Sequence, residues 1–265
     1  MALEQHTNVP LRYWQQVENS RNYVLPFIEK AIPVKSGMTV LEIGCAEGGV
    51  LVPFLEKGCM VVGVDLNEER INTANEYNKE AVDKGMAAFR AQNVYDESFV
   101  AEFDHYFDII ILKDAIEHIP AQEQFIPHLK KLLKPGGQIY FGFPPWYMPH
   151  GGHQQICANK FLSMLPYFHL LPKPLYRGIV KMFGEDKGII KELMDIKATG
   201  ITIERFEKIV HNTGFRVTNK QHYLLNPIYK YKFKVNPRKQ SPIISAIPYV
   251  RDFLTTCVYY TITPV

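Results

Sequence analysis

The run V-L-E-I-G-C-A-E-G-G at 40–49 decides the fold. Val40, Leu41 and Ile43 read as a short buried strand, after which Gly44, Gly48 and Gly49 open a turn into an amphipathic stretch at 50–57. Glycine stands where main chain takes positive φ or comes close to a ligand. A glycine-rich turn between a strand and a helix therefore marks a place where backbone meets a bound molecule.

Working outward, the apolar runs 60–64, 87–91, 107–112 and 138–143 also have strand character, and 67–84, 97–103 and 121–133 have helical length and spacing between them. Strands alternating with helices require a parallel sheet covered on both faces, because each crossover must return over the sheet. Ligands of such sheets bind beyond the carboxyl ends of the strands. Function is therefore read from the residues that follow each strand.

The rhythm breaks at Pro144. The segment 161–183 is apolar and basic, and Pro166, Pro172 and Pro174 forbid one long helix within it. Helical spacing returns at 202–213, with Thr202 as cap and Gly214 as stop, and strand character at 215–225 and 257–263. The alternation of aromatic residues with lysine at 229–235 reads as an amphipathic edge strand with a solvated lysine face. The competing reading is a stacking and phosphate-binding surface for single-stranded RNA.

The expected organisation is a single domain: a helical region at 1–37, a cofactor-binding core at 38–144, a cap insertion at 145–200, and a closing helix and strands at 201–265. Hydrophobic residues make up 46% and charged residues 22%, an ordinary globular balance that argues against disorder. The formal charge of +3 is too small to imply nucleic acid by bulk electrostatics. Cys45, Cys59, Cys157 and Cys257 lack C-x-x-C spacing, so a zinc knuckle or disulfide framework is not expected, and a reducing cytoplasm fits. The polar stretch 1–19 has no signal-peptide character, and no long apolar run suits a membrane span.

The chemistry is concentrated at the strand ends. Glu42, two residues before Gly44, would repel a diphosphate and attract a cation. Ala46 stands where a nicotinamide fingerprint has its second glycine, so an NAD-dependent oxidoreductase is disfavoured. S-adenosylmethionine, with a sulfonium, an ammonium and no phosphate, suits this turn. Asp65, ending the second strand, can accept both hydrogen bonds of a ribose diol. After the third strand Asn93 and Val94 offer an edge and a face to an adenine.

In this order the residues resemble class I S-adenosylmethionine-dependent methyltransferases, across 13–143 and more loosely from 202 onward. The resemblance implies an α/β, Rossmann-like fold: a mostly parallel seven-stranded sheet with helices on both faces and a cap inserted after the fifth strand. It further implies that Glu42, Gly44, Ala46 and Gly48 line the methionine part of the cofactor, and that Asp65 and Leu66 hold ribose and adenine. Asn93 and Val94 would touch adenine, and the backbone at Lys113 would face the amino group. Ala46 departs from the family's usual glycine and Asn93 from its commoner aspartate.

On the acceptor side, His118 in D-A-I-E-H at 114–118 and His153 in P-H-G-G-H-Q at 149–154 are the candidate bases, because histidine titrates near neutrality. Asp114, Glu117 and His118 at i, i+3, i+4 would share one face of a helical turn. With His153 they could hold a divalent metal. This looks like the acidic-x-x-Glu-His element of small-RNA terminal 2'-O-methyltransferases and of ubiquinone-pathway O-methyltransferases. The preferred reading is that Glu117 only sets the His118 tautomer. The expected activity is methylation, on oxygen before nitrogen or carbon, of a small molecule, sugar or lipid precursor. The insert reads first as a lid packing on the core that selects the acceptor; the competing reading is a surface that admits a lipid or prenyl-like acceptor or rests on a membrane as a peripheral contact, with nucleic acid disfavoured as a partner. The alternatives are a catalytically silent cofactor-binding module and a metal-assisted RNA methyltransferase.

Overall fold

The computed structural model describes residues 8–265; of the 1–37 region, residues 1–7 lie outside the described residues. Eight strands form one sheet: β1 (Thr39–Ile43), β2 (Met60–Asp65), β3 (Ala87–Ala91), β4 (Phe107–Lys113), β5 (Leu133–Phe143), β6 (Phe215–Leu225), β7 (Arg238–Lys239) and β8 (Cys257–Pro264). Their order is β3-β2-β1-β4-β5-β8-β6-β7. β1 to β5 are parallel, and β8 inserts antiparallel between β5 and β6. The expected seven strands become eight because the two-residue β7 pairs with the outer edge of β6. β5 also begins earlier than its apolar run, at Leu133, with a register irregularity where it passes Pro135 and two glycines.

Among the helices, in chain order, are α1 (Val9–Asn19), α2 (Val52–Glu56), α3 (Glu68–Tyr77), α4 (Glu97–Glu102), α5 (Gln122–His128), α6 (Lys173–Met182), α7 (Lys187–Thr199), α8 (Ile203–Asn212) and α9 (Tyr229–Phe233), with further ones of four or five residues between and after them. Successive strand residues face opposite ways. Leu41, Ile110 and Phe141 therefore pack on one face against Phe125 of α5 and Phe206 of α8. Val40, Ile109 and Tyr140 pack on the other against Phe27, Phe54 of α2 and Ile71 of α3. Both faces are covered, as a parallel sheet requires.

Between β5 and α8 the chain forms short helices around their own apolar cluster of Leu162, Phe168, Tyr176, Val180 and Leu193. The three prolines divide this segment as their chemistry demands: Lys160–Met164, a 3-10 turn at Phe168–Leu170, then α6 with Pro174 in its first turn. Thr202 accepts the Arg205 N–H at 3.0 Å as N-cap of α8.

The expected edge strand at 229–235 is a helix, α9. Alternation over five residues also satisfies i, i+4 spacing, and Tyr229 and Phe233 meet edge-on at 5.3 Å between ring centroids. Tyr231 packs on Trp14 and accepts from Gln15 through its carbonyl, so burial against α1 outweighs the local strand preference. No described helix is long and apolar enough to cross a membrane. All four cysteines are buried and free.

Candidate active site

Every predicted cofactor residue sits at the carboxyl end of β1 to β4 or in the turn that follows. The glycine turn is shaped by both properties of glycine. Gly44 and Gly48 have φ of 74° and 77°, and a Cβ on Gly48 would lie 2.5 Å from the Phe89 ring. Ala46 has φ of 48°. The departure from the usual glycine therefore costs backbone strain more than space, on the order of 1 kcal/mol.

Asp65 braces this turn. Its Oδ2 accepts the Ala46 N–H at 3.0 Å and its Oδ1 accepts the Asn67 N–H at 2.9 Å. The same carboxylate retains lone pairs for a ligand's hydroxyls. Leu66 beside it is 77% exposed, an apolar surface at the mouth of the site. Asn93 is exposed and its Oδ1 accepts the Tyr95 N–H. The Val94 side chain is buried in the core, and its carbonyl meets His128 Nε2 at 2.9 Å.

Glu42 is buried at the end of β1, and its Oε2 has no hydrogen-bond partner. Burial, reinforced by the nearby Asp65 charge, pushes its carboxyl well above the usual carboxylate range. An orphaned acidic group under a glycine turn suits a cationic ligand and opposes a polyanion. Sequence reading missed the neighbouring Glu47. Also buried, Glu47 pairs with Arg12 of α1 and accepts from Gln16 at 3.2 Å, while Gln16 Oε1 accepts the Gly49 N–H. Helix α1 is thereby fastened over the turn. The only sequence signal was a buried-type position carrying a carboxylate, and its partners lie more than thirty residues away.

The acceptor side differs from the expected helical face. Lys113, buried at the end of β4, pairs with Asp114, whose φ of 52° turns the chain sharply. A 3-10 turn, Ile116–His118, follows. Asp114 thus leaves the group, while Glu117, His118 and His153 bring one ligand atom each to within 4.8 Å of one another. His153 Nε2 lies 3.8 Å from Glu117 Oε1, and the two imidazole centroids are 4.9 Å apart. Both Glu117 oxygens are buried without a hydrogen bond. Burial, then the Asp114 charge, raises Glu117 to about 8. Burial, then His118, lowers His153 to about 3. The Thr199 hydroxyl of α7 donates to the Glu117 carbonyl, holding the inserted segment against this turn. A cleft of about 390 Å³ opens between His118 and the α7 residues Lys191, Glu192 and Asp195.

This arrangement defines an α/β protein with a Rossmann-like sheet and an acidic site at its strand ends. Residues 13–169, more than half of the chain, match the family described as methyltransferase domain, and the chain belongs to that family. It is 26% identical over 116 residues to a ubiquinone biosynthesis O-methyltransferase of Leptothrix cholodnii, covering 44% of this chain and 48% of that protein. It is 32% identical over 118 residues to the protein of the same name from Coxiella burnetii, covering 44% and 47%. The chain thus spans about half the length of these curated relatives. Among solved structures, the geranyl diphosphate C-methyltransferase of Streptomyces coelicolor matches with a TM-score of 0.57 at 12% identity, covering 91% of this chain and 76% of that one. The phosphoethanolamine N-methyltransferase 2 of Haemonchus contortus matches with a TM-score of 0.55 at 16% identity, covering 92% and 52%. At such identities the likeness is one of fold.

Proposed function

We propose that the protein is an S-adenosylmethionine-dependent methyltransferase acting on a hydroxyl oxygen of a small molecule. The observation that carries the cofactor is the buried Glu42 carboxyl beneath the glycine turn, whose Oε2 has no hydrogen-bond partner. Bound there, the cofactor supplies a methyl group on a cationic sulfur, open to in-line displacement. Gly44, Ala46 and Gly48 line its methionine part, with Glu42 compensating positive charge and the backbone at Lys113 facing the amino group. Asp65 accepts from the ribose, and Leu66 and Asn93 meet the adenine. The names of the curated relatives support oxygen as the acceptor atom.

The protein's own contribution to the reaction is alignment, exclusion of water and proton handling. His153 is neutral across the physiological range and accepts the hydroxyl proton. Glu117, 3.8 Å away, stabilises the resulting imidazolium once it ionises near pH 8. His118 borders the cleft through which an acceptor reaches the pair.

The clustering of Glu117, His118 and His153 favours a second reading, in which the three hold a divalent cation. A mixed carboxylate and imidazole set suits zinc or manganese, and the ion would supply Lewis acidity toward an acceptor hydroxyl.

Calorimetry with S-adenosylhomocysteine and NAD tests the cofactor: tighter binding of NAD would reverse the reading. Transfer of radiolabelled methyl to a metabolite extract separates an enzyme from a silent binding module. Chelation followed by metal analysis separates the two acceptor-side readings.

A further inference from the structure

The segment 160–183 contains no Asp or Glu and carries Lys160, Lys173, Arg177 and Lys181, more positive charge than the net +3 of the entire chain. Its apolar side chains divide in two. Tyr176 and Val180 of α6 turn inward to the segment's own cluster. Others face solvent: Phe161 is 62% exposed, Met164 65%, Leu175 51% and Met182 75%. Phe161 stacks on Phe183, with 6.1 Å between ring centroids, which joins the first helix of the segment to the end of α6. At 3.6 residues per turn, Leu175 and Met182 project from one flank of the outer face of α6, and Arg177 and Lys181 from the other. Of the two carboxylates that follow the stretch, Glu185 is buried and accepts the Ala158 and Asn159 N–H groups, and the exposed Asp186 accepts the Gly188 N–H as N-cap of α7.

From this geometry we infer that the outer face of 160–183 docks on an anionic phospholipid bilayer, with Phe161, Met164, Leu175 and Met182 entering the interface and the lysines and Arg177 meeting the headgroups. A ridge of large apolar side chains beside a basic flank is the pattern of a helix lying in the plane of a membrane surface. An exposed patch of this kind on a globular protein marks an interaction site. The absence of any acidic side chain along the stretch matches a negatively charged partner. The inference does not depend on which acceptor is methylated, because none of these residues lies at the strand ends.

The test is cosedimentation of the full chain with phosphatidylcholine vesicles and with phosphatidylcholine–phosphatidylglycerol vesicles. The protein should pellet with the anionic vesicles, not with the neutral ones, and salt should release it. Each Lys or Arg near a charged bilayer is worth about 1 kcal/mol, about fivefold in partition. The double variant R177E/K181E should therefore lose at least about tenfold, and F161S/M182S should lose binding while S-adenosylhomocysteine affinity is retained in both. Equal partition onto both vesicle types, or variants that pellet like the wild type, would overturn the inference. So would concentration-dependent self-association in sedimentation velocity that the same variants abolish without vesicle binding in the wild type, which would assign the face to a second copy of the chain.

Discussion

The Asp65 carboxylate accepts the Ala46 N–H at 3.0 Å, tying the end of β2 to the strained bend after β1. The residue expected to hold a ribose is therefore also the brace of the glycine turn proposed to cradle the rest of the cofactor. Its two roles are separable by measurement.

Asp65→Ala removes two hydrogen bonds to a carboxylate and should destabilise the fold by about 1–3 kcal/mol. It should also weaken S-adenosylhomocysteine binding by more than tenfold. Ala46→Gly relieves a left-handed alanine and should raise stability by up to about 1 kcal/mol in denaturant unfolding, leaving the affinity close to wild type. A lowered stability in Ala46→Gly would show that the strain at φ of 48° is smaller than the entropy glycine adds to the unfolded chain.

Glu42 links cofactor binding to protons. Burial and the Asp65 charge hold its carboxyl protonated above the usual range, and an arriving cation lowers its pKa again. Binding should therefore release a proton, and affinity should rise with pH. Calorimetry in buffers of different ionisation enthalpy reads the release directly. Glu42→Gln should bind more weakly and show no dependence on buffer.

For the Glu117–His153 pair, turnover should climb with pH and level off above about 8, as the Glu117 carboxyl ionises beside His153. His153→Ala should lower kcat by about 10²–10⁴ with cofactor affinity retained. Glu117→Gln should flatten the alkaline rise. A chelator-sensitive rate with stoichiometric zinc or manganese would transfer the role of the pair to a bound cation.

Acid should destabilise the protein through buried histidines. His169 and His222 are fully or nearly fully buried, and burial first of all lowers each to about 4. Between about 4 and 6.5 the unfolded chain binds more protons at these positions than the folded one, so stability rises with pH across that window. Denaturant midpoints should fall steeply from pH 6.5 toward 4. His222→Gln, at the Tyr260 hydroxyl, should reduce that slope.

Arg12→Ala leaves the buried Glu47 carboxylate without its guanidinium and should cost about 3–5 kcal/mol, where an exposed pair would cost little. Arg12→Ala combined with Glu47→Gln should recover part of the loss.

The parallel core was legible because its signals are local. Each of the first five strands is an apolar run ended by a turn residue or polar side chain, and Thr202 and Gly214 bracket α8 within twelve residues. What escaped depends on distant partners. The alternation at 229–235 fits a strand or a short helix equally until Tyr231 finds Trp14 and Gln15. Glu117 looked like a servant of His118, and the left-handed Asp114 with the 3-10 turn after it is what aims Glu117 at His153.

By itself the amino-acid order determined the sheet, its parallel core and the acidic, glycine-rich bend, because periodicity, capping and positive-φ positions act over a few residues. Only the tertiary structure decided that α1 closes over that bend through Arg12 and Glu47, and that the half-buried His153 and the buried Glu117, from separate loops, come within 3.8 Å of each other. It likewise decided which apolar residues of 160–183 are left outside. Those outcomes turn on desolvation and on pairing between groups far apart in the chain, whose energies exist only once the fold has brought them together.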